Sequence, residues 1–385
     1  MRECLVGCRV PLTSSRRRPV GVSLGDARRW GNALLLRFAR FAMVCIGLSM
    51  ALSVMARSAM SADAIPFAIE ETAGWRRYGY PVTVSLQCLQ GKLRDAGHTR
   101  LVNGDGKEIA AQFTAMSTWP DGSVRGLDVD FAPSPGPMER LSFRVEIGEP
   151  PKGTPRGGLR LIETSDEWVV ESDAIRHRIR RDGKPLLTSI AFGKTEFIAS
   201  GGVKTTIEPG AVEVLKRGPF NVTIGMGDLR LSYVSTKSWV ELTQRSTTSR
   251  ELVVDAHFVL SDKPLLWDFG LGSWMYGTLA GGGDRVSLLR AAGAWQVQAS
   301  DGSVLAVAPT FDGCGHFADA QRAVAFGVIR PGEDTRVDLH PDGRLRVASR
   351  GSELTAYFHF VGQPIPVTAA TSPQAMVSPL KVIVP

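Results

Sequence analysis

Beyond residue 64 the chain almost never repeats its apolar residues at helical spacing; it alternates them. A period of two puts successive side chains on opposite faces of an extended strand, so this pattern admits sheets and excludes a helical bundle. "PVTVSLQCL" (Pro81 to Leu89) and "RELVVDAHFVLS" (from Arg250) alternate clearly and carry many β-branched residues. Turn signals punctuate them: Asn103 to Gly106 ("NGDG"), and the Asp-Gly pairs at Asp182, Asp301 and Asp342. "FADAQRAVAFGVI" reads either as a helical turn or as a strand. Short strands with a turn every ten or so residues predict an all-β protein, built as a sandwich or a barrel.

Two stretches interrupt this pattern. "GEPPKGTPRGG" (Gly148 to Gly158) has Pro and Gly but no apolar anchor, as expected of a linker. The expected division is a leader at 1–64, a small β-barrel domain at 65–150, a linker at 151–158 and a β-sandwich at 159–385. The leader holds ten arginines and three acids, which accounts for the whole formal charge of +7 and leaves the remainder neutral. It runs into "FAMVCIGLSMALSVMA" and then small residues ending Ala62-Asp63-Ala64. Arg-rich, then apolar, then small is an export signature, with Ile65 as the expected first mature residue. The apolar run is short for a membrane span, although an uncleaved anchor is the competing reading. The expected location is periplasmic or extracellular, with the Sec and twin-arginine routes both open. A neutral mature chain has no electrostatic footprint for nucleic acid or for a membrane. Cys88 and Cys314, the mature cysteines, lie in no metal-type spacing, so no metal and no cofactor is expected. One disulfide or two buried thiols fit equally.

The stretch "STWPDGSVRGLDVDF" (Ser117 to Phe131) joins an aromatic, a turn and a strand. With Gly79 to Val82 ("GYPV"), Asp105-Gly106 and Gln112, it resembles the N-terminal domain of the exo-acting rhamnogalacturonan lyase family across roughly residues 76–131. "VEVLKRGPFNVTIGMGD" (Val212 to Asp228) is similar, more weakly, to that family's central sandwich. The resemblance implies a RIFT-like barrel followed by a β-sandwich, and engagement of pectin-type polysaccharide. Gly126 stands where the family carries a second tryptophan, and the family's α/α toroid has no counterpart in this sequence. The expectation is therefore a binding or accessory role, with an oligosaccharide or polysaccharide as partner and a separate toroid-bearing lyase subunit as a second one. The alternatives are a lyase that performs β-elimination on its own sandwich, and a structural surface protein with no sugar role.

A lyase needs a base to remove the proton next to a carboxylate and a cation to neutralise that carboxylate. His257, His316, His359, Tyr233, Tyr276 and Lys237 are the candidate bases, and Arg245 and Arg250 the candidate cations. His257, Arg245, Arg250 and Tyr276 form the expected catalytic set, with Asp255 beside His257 on one strand face; a solvated polar face gives the same spacing. Trp119, Trp267, Trp274 and Tyr276 are the expected sugar-stacking set, because flat rings match the apolar faces of sugars. Trp267, Trp274 and Tyr276 fall in "LLWDFGLGSWMYGTLAGGGDR", read as a long aromatic loop. For Trp119, turn chemistry explains its neighbours Pro120 to Ser123 without any site. Cys314, His316 and Asp319 lack the further ligands of a metal site.

Overall fold

A computed structural model describes residues 63–153, 158–172, 175–260, 265–271, 274–279, 284–361 and 373–385. The expected export leader lies outside the described residues, apart from Asp63 and Ala64. Among the described residues no helix is long and apolar enough to cross a membrane. The protein is all-β, and its sheets are antiparallel throughout.

The first domain holds β1 (Ala64–Glu70), β2 (Val82–Gln87), β3 (Thr99–Asn103), β4 (Glu108–Ile109), β5 (Gln112–Thr118), β6 (Val124–Phe131) and β7 (Arg140–Ile147). They form two sheets, and β2-β6-β5 packs on the sheet that contains β1, β7, β3 and β4. Alternation decides what is inside: Val82, Val84 and Leu86 of β2 and Leu127, Val129 and Phe131 of β6 are buried in one core. Thr83 and Ser85 point the other way, opposite Asp130 and Asp128 in register.

A second sheet system begins with β8 (Arg160–Glu163), β9 (Glu167–Glu171), β10 (Ile175–Arg180), β11 (Leu187–Phe192) and β12 (Thr195–Glu196), paired in sequence order. This small sheet covers one face of a fourteen-stranded sheet. The large sheet starts with β13 (Ile198–Thr205), β14 (Val212–Arg217), β15 (Asn221–Met226), β16 (Leu229–Val234) and the 20-residue β17 (Trp239–Phe258). It continues through β18 (Leu265–Gly270), β19 (Trp274–Leu279), β20 (Val286–Ala291), β21 (Ala294–Gln298), β22 (Val304–Ala308), β23 (Cys314–Ala318), β24 (Ala323–Val328), β25 (Arg336–Leu339) and β26 (Arg344–Val361). Trp168, Ile179 and Ile190 of the small sheet share a core with Ile224, Leu231, Leu242 and Phe358 of the large one. That is the expected sandwich.

Three expectations change. "LLWDFGLGSWMYG" is not a long loop but the paired strands β18 and β19. "FADAQRAVAFGVI", for which a helical turn and a strand were both open, takes the second course as strand, turn and strand. The C-terminal stretch, assigned from sequence to the sandwich, crosses back: helix α1 (Pro373–Val377) packs on β24, and β27 (Lys381–Ile383) pairs with β1. Gly327 makes that packing possible, because a Cβ there would lie 2.7 Å from the Val377 side chain. A buried ion pair holds the returning segment. Arg77 contacts Glu71 at 3.1 Å and also donates to the carbonyls of Ala375 and Ser378. Asp63 and Ala64, on the leader side of the expected cut, belong to the barrel: Ala64 pairs with Glu146, and Asp63 accepts from Lys92.

Candidate functional site

The polar face of β2 and β6 borders a cleft open to solvent, where Thr83 and Ser85 remain exposed, and looks across it at the large sheet. The cleft has a volume of about 400 Å³, within the range of small-ligand sites. Its far wall is a row set by strand register. Lys216 lies opposite Thr223, Thr223 opposite Ser232, Ser232 opposite Glu241 and Glu241 opposite Tyr357. Side chains opposite one another on neighbouring strands share a face, so five strands deliver five polar groups to one surface.

Lys216 joins the two walls. Its buried Nζ lies 2.8 Å from Asp128 and 3.0 Å from Asp130. Asp130 also accepts from Thr83 at 2.5 Å and from Asn221 at 2.9 Å, while Asp128 accepts from Ser85 at 2.7 Å. Thr223 donates to Asn221 at 2.8 Å. Farther along, the Tyr357 hydroxyl donates to Glu241 at 2.7 Å. Burial first, and then the Glu241 charge, raise the Tyr357 phenol above its ordinary range. Tyr80 is pushed up to about 12, chiefly by burial, and donates to the Ala375 carbonyl. Trp239 stands edge-on to both tyrosine rings, at 6.0 Å from each. Pro379, Leu380 and Val382 of the returning C-terminal segment complete the rim.

A second contact fixes the spacing of the walls. Gln112 is buried; its amide donates to the Asn221 carbonyl, and its oxygen accepts from the backbone N–H groups of Phe220 and Asn221. Gly218 leaves the room, since a Cβ there would lie 2.3 Å from the Gln112 carboxamide. Among the described residues, none of the buried side-chain polar atoms without a partner lies in this cleft. The site is therefore a surface of hydroxyl, carboxylate and ammonium groups oriented by their mutual hydrogen bonds. Both tyrosines are held as phenols, so they can donate hydrogen bonds but not act as bases.

The residues expected from sequence stand elsewhere. Arg245 and His257 are twelve residues apart on β17, which is about 40 Å of strand, so they do not meet. Arg245 is exposed and paired with Glu353 at 2.9 Å. Arg250 is exposed at a register shift in the same strand. His257 faces two backbone carbonyls, Ser200 at 3.3 Å and Asp342 at 3.2 Å. Asp255 shares its face, as alternation requires. Tyr276 lies opposite Asp268 in register, and the side chains of Trp274 and Tyr276 lie outside the described ones. Trp267 is buried, its indole filling the space over Gly277, where a Cβ would lie 2.3 Å away. It is a packing residue.

Trp119 caps its turn. Its indole donates to the Cys88 carbonyl at 3.0 Å and carries the Arg125 guanidinium over its ring. Gly122 has φ 79°, and Ser123 bonds back to Asp121 through both its N–H and its hydroxyl. Those bonds hold the Asp121 carboxyl below the usual range. Tyr233 and His359 are buried, and Lys237 bonds the Tyr78 carbonyl. Cys88 and Cys314 are buried free thiols in separate places. Among the described residues no cluster of metal-binding side chains occurs.

Sequence reading missed Lys216, Asp128, Asp130, Asn221, Glu241 and Tyr357. A signal did exist: two aspartates at alternate positions of "LDVDF" face a threonine and a serine at alternate positions of "VTVSL". On its own that pattern is indistinguishable from a solvated strand face.

No protein-family model matches this chain, and no curated protein does. Among solved structures it is similar to the crystal structure of HI1317, with a TM-score of 0.31 and 11% identity, over 54% of this chain and 98% of that one.

Proposed function

We propose that this chain is an exported carbohydrate-engaging protein that holds an oligosaccharide of the pectin type in the cleft between its first domain and its sandwich. The observation that carries this reading is the cleft wall itself. Register aligns Thr223, Ser232, Glu241 and Tyr357 across four strands, facing Ser85, Asp128 and Asp130. Sugar hydroxyls donate and accept at once, and a fixed set of carboxylates and hydroxyls answers both needs. The resemblance of residues 76–131 to rhamnogalacturonan lyases supplies the substrate class. Binding is favoured over elimination because the expected cation and base, Arg245 and His257, stand about 40 Å apart along β17 and outside the cleft.

The test is retention of the purified chain on a rhamnogalacturonan affinity gel, beside a Ser232→Trp variant whose indole fills the cleft. Thermal melting confirms that the variant folds. Retention lost in the variant supports the reading. No retention of the wild type, or equal retention of both, overturns it. Ultraviolet absorbance from unsaturated uronate during the incubation would replace it with a lyase.

A further inference from the structure

Among the described residues the cleft contains one charge without a charged partner. Lys216, Asp128, Asp130 and Glu241 each have partners inside the cleft. Arg230, half-buried on the same wall, makes no ion pair and no side-chain hydrogen bond among the described residues. On β16 it alternates with buried Leu229 and Leu231, so its side chain shares the cleft face with Ser232. Its register neighbours are Gly225 on β15 and Thr243 on β17. Gly225 has no side chain, and the place a Cβ would take there is bordered by Leu215 and by Glu213, whose Oε1 lies 3.3 Å from that point; Thr243 turns its hydroxyl towards Thr355 and Glu241. The carboxylates at neighbouring positions are Glu213, beside Gly225, Asp228, two residues back, and Glu241, on the next row; among the described residues none of them forms an ion pair with it. A half-buried guanidinium that has given up part of its water without a protein anion is placed to accept one from a ligand.

The geometry points to Arg230 as the residue that selects an acidic sugar, by taking an anionic ring substituent in a bidentate pair. This rests on the cleft being the carbohydrate site. A planar fork of N–H donors matches a carboxylate or a sulfate ester, whereas a neutral sugar leaves it with water alone. Arg230 is thus a specificity residue, and the hydroxyl row supplies the binding that acidic and neutral chains share.

Affinities of the full-length chain are measured by calorimetry for a uronate-containing oligosaccharide, its carboxyl-reduced form and a sulfated neutral galactan. Wild type and Arg230→Gln are compared. The uronate chain is expected to bind wild type about 10-fold more tightly than the reduced chain, the scale of a hydrogen-bonded charge. Arg230→Gln is expected to abolish that preference while leaving affinity for the reduced chain unchanged. Arg230→Lys restores part of it, because a point charge lacks the fork. Tighter binding of the galactan than of the uronate assigns the pocket to sulfate rather than carboxylate within the same proposal. Equal affinity of wild type for charged and reduced chains overturns the role of Arg230 and leaves the carbohydrate site standing. Absence of binding to all three overturns both.

Discussion

Lys216→Met removes the cation that ties the two walls together and keeps the length of the side chain. Lys216 and Asp130 are 7% and 4% exposed, and Asp128 is 13% exposed. Removing one partner of a buried ion pair costs about 3–5 kcal/mol, because the other charge stays buried. Asp130 keeps Thr83 and Asn221 as donors, and Asp128 keeps Ser85 and some water. That places the cost near the lower end, about 3 kcal/mol. Unfolding entropy scales at about 2 cal/mol/K per residue, so a fold of about 320 residues should lose roughly 4–5 °C of Tm. Calorimetry reads this directly. The double variant Lys216→Met with Asp130→Asn should recover part of the loss, because it no longer buries an uncompensated carboxylate. A loss below about 1 kcal/mol in the single variant, the scale of an exposed pair, would refute the argument. So would a double variant that is merely additive, since residues in contact are expected to couple.

Gly218→Ala should cost about 2–3 kcal/mol in urea unfolding, since its Cβ would displace the Gln112 carboxamide and leave buried donors and acceptors unmade; an unchanged midpoint would contradict the contact. His177, fully buried between Tyr233 and Phe360, is lowered to about 3 by burial. The unfolded chain therefore binds its proton first, and stability present above about pH 6.5 is lost as pH falls towards 3, by at most about 4–5 kcal/mol. His177→Phe should flatten that acid limb, and an unchanged limb in urea melts at pH 4.5 and 7.5 would refute it. Asp268 runs oppositely: burial raises it to about 7, so the native state holds the proton longer, and stability present below about pH 4 is lost as pH rises through 7. Asp268→Asn should thus gain more at pH 7.5 than at pH 4.5, and parallel profiles would count against it. Cys88 and Cys314 are buried, and burial pushes both thiols up; neither should react with a thiol reagent until denaturant is added.

The sequence by itself determined the strand class, the turns and the inward faces. Alternation in "VTVSLQ" and "GLDVDF" already says which residues enter the core, because a strand has only two faces. The turn at Trp119 to Ser123 was likewise legible, since local bonds of Asp121 and the positive φ of Gly122 explain it without distant partners. The site was not legible for a different reason. Asp130, Lys216 and Tyr357 lie on strands separated by up to 227 positions, and only sheet register and domain docking bring them to one cleft. Gln112 and Gly218 each stood in a recognisable motif, yet nothing local says that one is the socket for the other. The returning C-terminal strand is similar: "LKVIVP" reads as a strand, but its partner, β1, is chosen by tertiary packing. His257 and Arg245 err in the opposite sense. Proximity in sequence suggested a cluster, and an extended chain, rising about 3.3 Å per residue, carries them apart.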